Sequence, residues 1–484
     1  MQFPLTACPG LFYNTLAQDG FLCRLRIPGG MINSQQFEAI ADISDHYGGG
    51  YIDITNRANI QIREIKQGIN NQVLAKLQAL GLASTNASVD HIRNIMTSPT
   101  AGIDTQELID TRPLVKAWEK YITAHSHLSQ LSAKFSVCFD GGGKISVKDR
   151  PNDIILAAEL INSNIHWRLY LSYGEKGEPA KDTGILLKPL ETIAVLAALA
   201  ETYLKHIGIK THCKPRLREI INHITIEKYL QQVKEKLDPS IFSFEKTSLC
   251  ASASLREKNL IGIHSQRQSG LYYIGIVLPL GRLDTYQIRG LAHIAKRYGD
   301  DNIRLTPWQN LILSNIPQNQ IIKVEEEIAN LGLNCSPTDI KSFLVACSGK
   351  RGCTAAATET KEDALHLAKY LEDLMILDCS VNIHFSGCGK SCAQHTQADI
   401  TLLGVAGESF PGYQIYVLGH LLYEYVTLAK VPMIIEQILE VYHKQRLNFQ
   451  ESFRQFIDRQ KHQLNQLFSK SSPNSTVTTL KYHV

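Results

Sequence analysis

The sequence predicts a mixed α/β (α+β) fold built from a duplicated module, and three observations predict it. The chain matches itself without a gap at an offset of 251 residues; each copy passes from apolar alternation to a helical stripe and back; and further strand and helix patterns follow each copy. At that offset Pro28 meets Pro279, Gly30 meets Gly281, Gln36 meets Gln287, Ala41 meets Ala292, and Tyr47-Gly48 meets Tyr298-Gly299. Downstream, Thr55 meets Thr306, Asn59 meets Asn310, and Leu80-Gly81-Leu82 meets Leu331-Gly332-Leu333. Two such copies imply a pseudo-twofold arrangement.

Each copy opens on a predicted strand, residues 21–27 and 271–278. In the first, Phe21, Cys23, Leu25 and Ile27 share one face, and Arg24 and Arg26 the other. A helix then starts at Ser34, read as its N-cap, and buries Phe37, Ile40, Ala41 and Ile43 before the turn at Gly48-Gly49-Gly50. Strands over 51–55 and 59–65 follow. A last helix carries Val73, Leu74, Leu77 and Leu80 on one stripe and stops at Gly81. This β-α-β-β-α order has ferredoxin-like character.

Between the copies, residues 88–244 offer a strand over 134–139, a glycine turn at 141–143 and several helices. The most apolar helical stretch, 193–200, runs into Glu201 and Lys205 and is expected to end near Gly208. From about Leu403 to 468 the pattern reads as helical, and 471–479 as a polar tail. The expected domains are 1–86 and 246–336, the two ferredoxin-like halves; 87–245 and 337–425, the segments that follow them; and 426–484, a helical segment and tail.

At 484 residues and 44% hydrophobic, the chain has material for several cores. Lys plus Arg number 50 against 46 Asp plus Glu, too even for a nucleic-acid-binding stripe. The first ten residues hold two prolines and no apolar signal core, and no stretch reaches the roughly 20 apolar residues of a membrane span. A cytoplasmic protein without a membrane or nucleic-acid partner is expected. In that setting eleven cysteines point to metal ligation, catalysis or burial rather than disulfides.

Spacing separates the cysteines. Five residues part Cys347 from Cys353, three part Cys388 from Cys392, and thirty-four lie between the pairs. Four thiolates from two loops suit a 4Fe-4S cluster, and Ser348, Gly349, Gly352, Ser386, Gly387, Gly389 and Ser391 leave backbone free to approach it. Zinc sites prefer tighter two-residue spacings. Cys8, Cys23, Cys138, Cys213, Cys250, Cys335 and Cys379 read as buried or incidental thiols. The 251 offset sets Met96 against Cys347 and Gly102 against Cys353, so only one half can hold a cluster. The other half carries Arg57, Arg93, Asn94 and Lys134, residue types that bind anions. The plainer readings are ion-paired arginines, a lysine on a solvated strand face, and a turn-forming Asn59 and Asn310. Lys210, Lys214, Arg216 and Arg218 read as a solvated face, or as a rim for carboxylates or an acidic donor.

The segments Thr55-Asn56-Arg57-Ala58-Asn59, Arg93-Asn94-Ile95 and Ala133-Lys134-Phe135 resemble motifs of the nitrite and sulfite reductase superfamily. That resemblance implies siroheme-reductase-type domains after each ferredoxin-like half, a 4Fe-4S cluster and a siroheme. It gives Arg57, Arg93 and Lys134 catalytic roles facing the bound anion, and makes Arg57, Arg93, Asn94 and Lys134 contacts to tetrapyrrole carboxylates. Cys392 becomes the cluster ligand nearest the second iron. Within the superfamily, Ala7-Cys8-Pro9-Gly10-Leu11, residues 24–30, and His384 to Ala393 resemble the precorrin-3B synthases. That branch implies oxygen-dependent hydroxylation and γ-lactone formation on precorrin-3A in cobalamin biosynthesis. The second iron is then siroheme or a mononuclear non-haem iron, for which His384 and His395 are candidate ligands, and ferredoxin or a reductase supplies electrons. Two alternatives stand beside it: a ferredoxin-dependent nitrite or sulfite reductase with siroheme, and a non-catalytic electron-transfer iron-sulfur protein. Ser136 departs from the reductases, which carry lysine or asparagine there.

Overall fold

A computed structural model describes residues 9–13, 15–207, 214–238, 241, 243–244, 260–372, 374 and 380–469. Cys8, Lys210, Cys213, Cys250, Cys379 and the tail 471–479 lie outside the described residues. The chain divides into two compact units, Met1–Pro337 and Thr338–Val484.

The first unit contains both ferredoxin-like halves, joined by a reciprocal exchange of strands. Strand Met31–Asn33, from the first copy, closes the sheet of the second by pairing with Asn302–Leu305; Arg282–Asp284, from the second, closes the first by pairing with Tyr51–Ile54. The pairings obey the sequence offset residue for residue: Met31 opposes Arg304, and Arg282 opposes Asp53. Helices Ser34–Tyr47 and Thr285–Tyr298 repeat at the same spacing. Asn33 and Asp284 cap them with capping boxes closed by Gln36 and Gln287, so the N-cap is Asn33 and not Ser34. One hydrophobic core takes Phe37, Ile40 and Ile62 from one half and Ile288, Leu291 and Leu313 from the other. Each fully buried side chain of this size contributes roughly 1.5–3 kcal/mol, so the exchange makes each half depend on the other.

In the strand Gly20–Leu25, Leu22, Cys23 and Leu25 are buried and Arg24 is partly exposed. Cys23 and Leu25 enter the core, and Arg26, on the opposite face, is also buried.

Next comes a six-stranded sheet. Ile95–Thr97, Val137–Asp140 and Ile154–Ile161 run parallel, then Asn164–Leu171, Lys181–Leu187 and Ser243–Phe244 antiparallel. Lys134 precedes the strand, in a turn. The second unit repeats the plan: Leu344–Ala346, Ile383–Ser386 and Ile400–Ala406 are parallel, and Pro411–Val417 and His420–Thr427 antiparallel. The helical expectation from Leu403 therefore fails as far as Thr427. Tyr413, Ile415 and Val417 are buried at a period of two, and helices begin only at Val431–Gln445. Among the described residues no helix is long and apolar enough to cross a membrane.

Candidate functional site

The three motifs in the first unit meet through two asparagines. The Ile27 amide donates to Asn59 Oδ1 at 2.8 Å, Asn59 Nδ2 donates to Asn94 Oδ1 at 3.4 Å, and Asn94 Nδ2 donates to the Ala133 carbonyl at 2.9 Å. Asn59 is thus more than a turn residue: it ties the end of the first core strand to the Arg93-Asn94 and Ala133-Lys134 segments. Its counterpart Asn310 accepts from the Leu278 amide at 3.1 Å. Thr55 Oγ1 accepts from the Arg57 and Asn59 amides, as Thr306 Oγ1 does from Trp308 and Asn310. The turn is the same in both copies, and only the first presents a cation, Arg57, where the second has Trp308.

The basic residues have different environments. Arg57 is half-buried and donates to Asn152 Oδ1 at 3.0 Å and the Pro151 carbonyl at 2.8 Å. Lys134 is exposed. Arg93 is 2% exposed, and all five of its N–H groups have partners: Glu119 from Nε and Nη2, Asp90 and the Leu82 carbonyl from Nη1, and the Gly81 carbonyl from Nη2. The expectation that Arg93 faces an anion gives way to a structural role, because no donor is left over. Of the basic run, Lys214 donates to the Ser129 and Leu131 carbonyls and Arg216 to buried Asp153. These two form no solvated face. Ser136 is buried and donates its hydroxyl to Asp153.

Strand register corrects the placing of residues opposite the cysteines. Ile95 pairs with Val137 as Leu344 pairs with Ile383, so the offset is 249 at the first strand and 246 at the second. Cys347 and Cys353 then correspond to Ser98 and Asp104, not Met96 and Gly102; Cys388 and Cys392 correspond to Gly142 and Ser146. In the first unit these positions are closed by hydrogen bonds. Ser98 donates to the Ile145 carbonyl at 2.8 Å, and Asp104 accepts from Thr100 and from the Ile145 amide, each at 3.1 Å. Arg304 braces the same loop at the Pro99 and Ala101 carbonyls.

In the second unit Cys347, Cys353 and Cys388 are half-buried and Cys392 is exposed. Burial pushes the Cys392 thiol above its usual range, and the neighbouring Cys388, Cys347 and Cys353 push it further, while Lys390 opposes them. The four sulfurs are therefore electrostatic neighbours. The Gly387 amide donates to Cys347 Sγ at 3.2 Å. A Cβ on Gly387 would lie 2.5 Å from Ala356 Cβ, so only glycine lets the two loops close. Four thiolates, a backbone donor to sulfur and a close approach without side chains fit a 4Fe-4S cluster. Cys23 and Cys138 are buried, and burial pushes the Cys23 thiol up to about 12, which suits inert packing.

The mononuclear alternative finds no support. Among the described residues no three His, Cys, Asp or Glu side chains could hold a single ion. A cubane spreads its ligands wider than one ion does. His384 is 2% exposed, and burial, aided by His395, lowers it to about 4. A cavity bordered by Asp363, His366, Tyr413 and Val431 contains none of the expected site residues.

The family description of the nitrite/sulfite reductase ferredoxin-like half domain matches residues 15–80 and 264–331. That of the nitrite and sulphite reductase 4Fe-4S domain matches 88–240, a stretch that does not include the four clustered cysteines. The chain is 31% identical over 459 residues to the ferredoxin–nitrite reductase of Synechococcus elongatus, covering 89% of this chain and 88% of that protein. It is 31% identical over 425 residues to the ferredoxin–nitrite reductase of Leptolyngbya laminosa, covering 85% and 82%. The solved structure of the Mycobacterium tuberculosis NirA protein shares the fold, with a TM-score of 0.79 at 23% identity over 92% of this chain and 84% of that one. These findings overturn the precorrin-3B synthase expectation and the oxygen-dependent chemistry on precorrin-3A that went with it. That expectation leaned on short stretches, one of them partly outside the described residues, whereas the reductase match runs through nearly the whole chain. The chain belongs to the nitrite and sulfite reductase family and is an iron-sulfur oxidoreductase of that family.

Proposed function

We propose that this chain is a ferredoxin-dependent nitrite reductase that holds a 4Fe-4S cluster through Cys347, Cys353, Cys388 and Cys392 and a siroheme in the basic site of the first unit. The observation that carries this reading is the set of four neighbouring cysteines in a chain so extensively similar to ferredoxin–nitrite reductases. When bound, the siroheme supplies an iron at which nitrite takes up electrons that arrive through the cluster.

The protein supplies charge and order around these groups. Arg57 and Lys134 give the first-unit site its positive charge, which favours tetrapyrrole carboxylates and an anionic substrate. The Asn59–Asn94–Ala133 chain fixes the segments that bear them. Around the cluster, exposed Lys350, Arg351 and Lys390 alternate in sequence with the ligating cysteines and bring positive charge to their loops. A cytoplasmic setting, where thiols are kept reduced, suits four cysteines that serve as cluster ligands.

Mixing the anaerobically purified holoenzyme with reduced ferredoxin tests the reading. Ferredoxin oxidation that starts on adding nitrite, with matching loss of nitrite, is the expected result. No response to nitrite, or a response to sulfite alone, would overturn it.

A further inference from the structure

Arg26 is a buried cation whose hydrogen bonding is incomplete. It is 1% exposed; Nη2 donates to the Pro9 carbonyl at 3.2 Å, while Nε and Nη1 are buried without a partner. Arginine keeps its charge even when buried, and an unsatisfied buried charge is among the costliest features a fold can carry. Such an atom in a native structure calls for a ligand.

The fold itself does not demand the charge. At the offset of 251, Arg26 corresponds to Val277, which is 2% exposed and whose amide donates to the Asn334 carbonyl at 2.8 Å. An apolar residue therefore fills the same place in the second copy. The cation belongs to the copy that also carries Arg57 in place of Trp308.

Its surroundings are those of the candidate site. The next residue, Ile27, begins the chain of hydrogen bonds through Asn59 and Asn94 to Ala133. His91, two residues before Arg93, meets the Leu131 carbonyl at 3.3 Å through Nε2, and Lys214 donates to that same carbonyl. Burial, then the charge of Arg26, lowers His91 to about 4, with Lys214 adding to the effect, so the ring is neutral at physiological pH. Asp90 opposes them, so two cations against one carboxylate leave positive charge in excess among the groups that act on His91.

We propose that Arg26 receives a carboxylate of the tetrapyrrole through its unpartnered N–H groups. The inference rests on the siroheme reading above and extends it to a residue that the motifs give no role. A small planar oxyanion such as nitrite has similar hydrogen-bonding chemistry, and the test separates the two sources.

The full-length chain, produced without siroheme, is titrated with siroheme while the Soret absorbance is followed, for wild type, Arg26→Met and Arg26→Lys. Nitrite affinity of each reconstituted protein and the melting temperature of each siroheme-free form are measured alongside. Arg26→Met is expected to bind siroheme roughly ten- to a hundredfold more weakly, as for a lost charge-assisted hydrogen bond. Arg26→Lys should recover part of that loss, and siroheme-free Arg26→Met should melt no lower than wild type because an unpaired charge has been removed. Equal siroheme affinity in wild type and Arg26→Met would overturn the assignment, as would a change confined to nitrite affinity. A lower melting temperature in Arg26→Met, with siroheme affinity that lysine does not restore, would make Arg26 structural. A wild type that binds no siroheme would remove the functional reading and the Arg26 ligand together; a wild type that binds it beside an equal Arg26→Met would remove the Arg26 assignment alone.

Discussion

Arg57 and Arg93 stand in matched motifs, yet burial gives them different work. Arg93 serves Glu119, Asp90 and two carbonyls at once, so replacing it strands the buried Asp90 carboxylate and leaves partly exposed Glu119 without its cation. Arg93→Met is expected to lower the unfolding free energy by about 3–5 kcal/mol in urea titrations while leaving the cluster signal intact. Unchanged stability with weakened anion binding would return Arg93 to the site. For the cysteines, Cys388→Ser and Cys347→Ser should each abolish the iron-sulfur resonance of the reduced protein in electron paramagnetic resonance; a full signal in either would refute the ligand set. The cysteine pairs were legible because ligand spacing is a local property of the sequence. The fate of Arg93 was not, because Glu119 and the Leu82 carbonyl reach it only in the folded chain. Arg26 escaped for a related reason: its burial arises only in the folded chain, although its alignment with Val277 at the offset was a usable signal.

At the scale of elements, the duplication was readable in the sequence but the strand exchange was not: Met31–Asn33 and Arg282–Asp284 sit at one offset, yet their crossed pairing forms only in the folded chain. Their chemistry differs. Arg282 pairs with Asp53 at 2.8 Å and lies 3.7 Å over the Tyr51 ring; in the other pairing Met31 stands where Arg282 does, and Arg304, the counterpart of Asp53, is turned to the Pro99 and Ala101 carbonyls. The strands after Leu403 were not legible as strands, because apolar residues such as Leu403 and Val405 occupy the less buried face and blur the period of two. In the cluster loops, Gly387→Ala should abolish or sharply reduce cluster occupancy, measured as iron and acid-labile sulfide per chain, since its Cβ would meet Ala356; normal loading would show that the loops can shift. In the loop over 98–110, burial pushes the Glu107 carboxyl up to about 7 from a usual value near 4.5, despite a hydrogen bond from the Gly102 amide at 2.8 Å. The folded state thus binds more protons than the unfolded one between those values. This contribution is fully present below about pH 4.5 and is lost as pH rises through 7. Glu107→Gln should remove that decline in urea midpoints compared at pH 5 and pH 8; the same decline in the variant would contradict the assignment.

Across the whole molecule, both halves repeat a ferredoxin-like module followed by a sheet of three parallel and further antiparallel strands, but their chemistry has diverged. One copy of the sheet carries four thiols; in the other, Ser98 and Asp104 close the corresponding loop with hydrogen bonds. Divergence of this kind shows in a sequence as a broken match. The ungapped offset reached the ferredoxin-like modules and then slipped by two and five residues, which is why Met96 and Gly102 fell opposite the wrong positions. The family resemblance named the cofactors, while the branch within the family rested on too few residues to survive comparison over the full length. The most direct test of the account is the optical spectrum of the anaerobically purified protein. An intense Soret band from siroheme above the broad cluster absorption, perturbed on adding nitrite, is the predicted result; a cluster shoulder alone, with no Soret band, would contradict it.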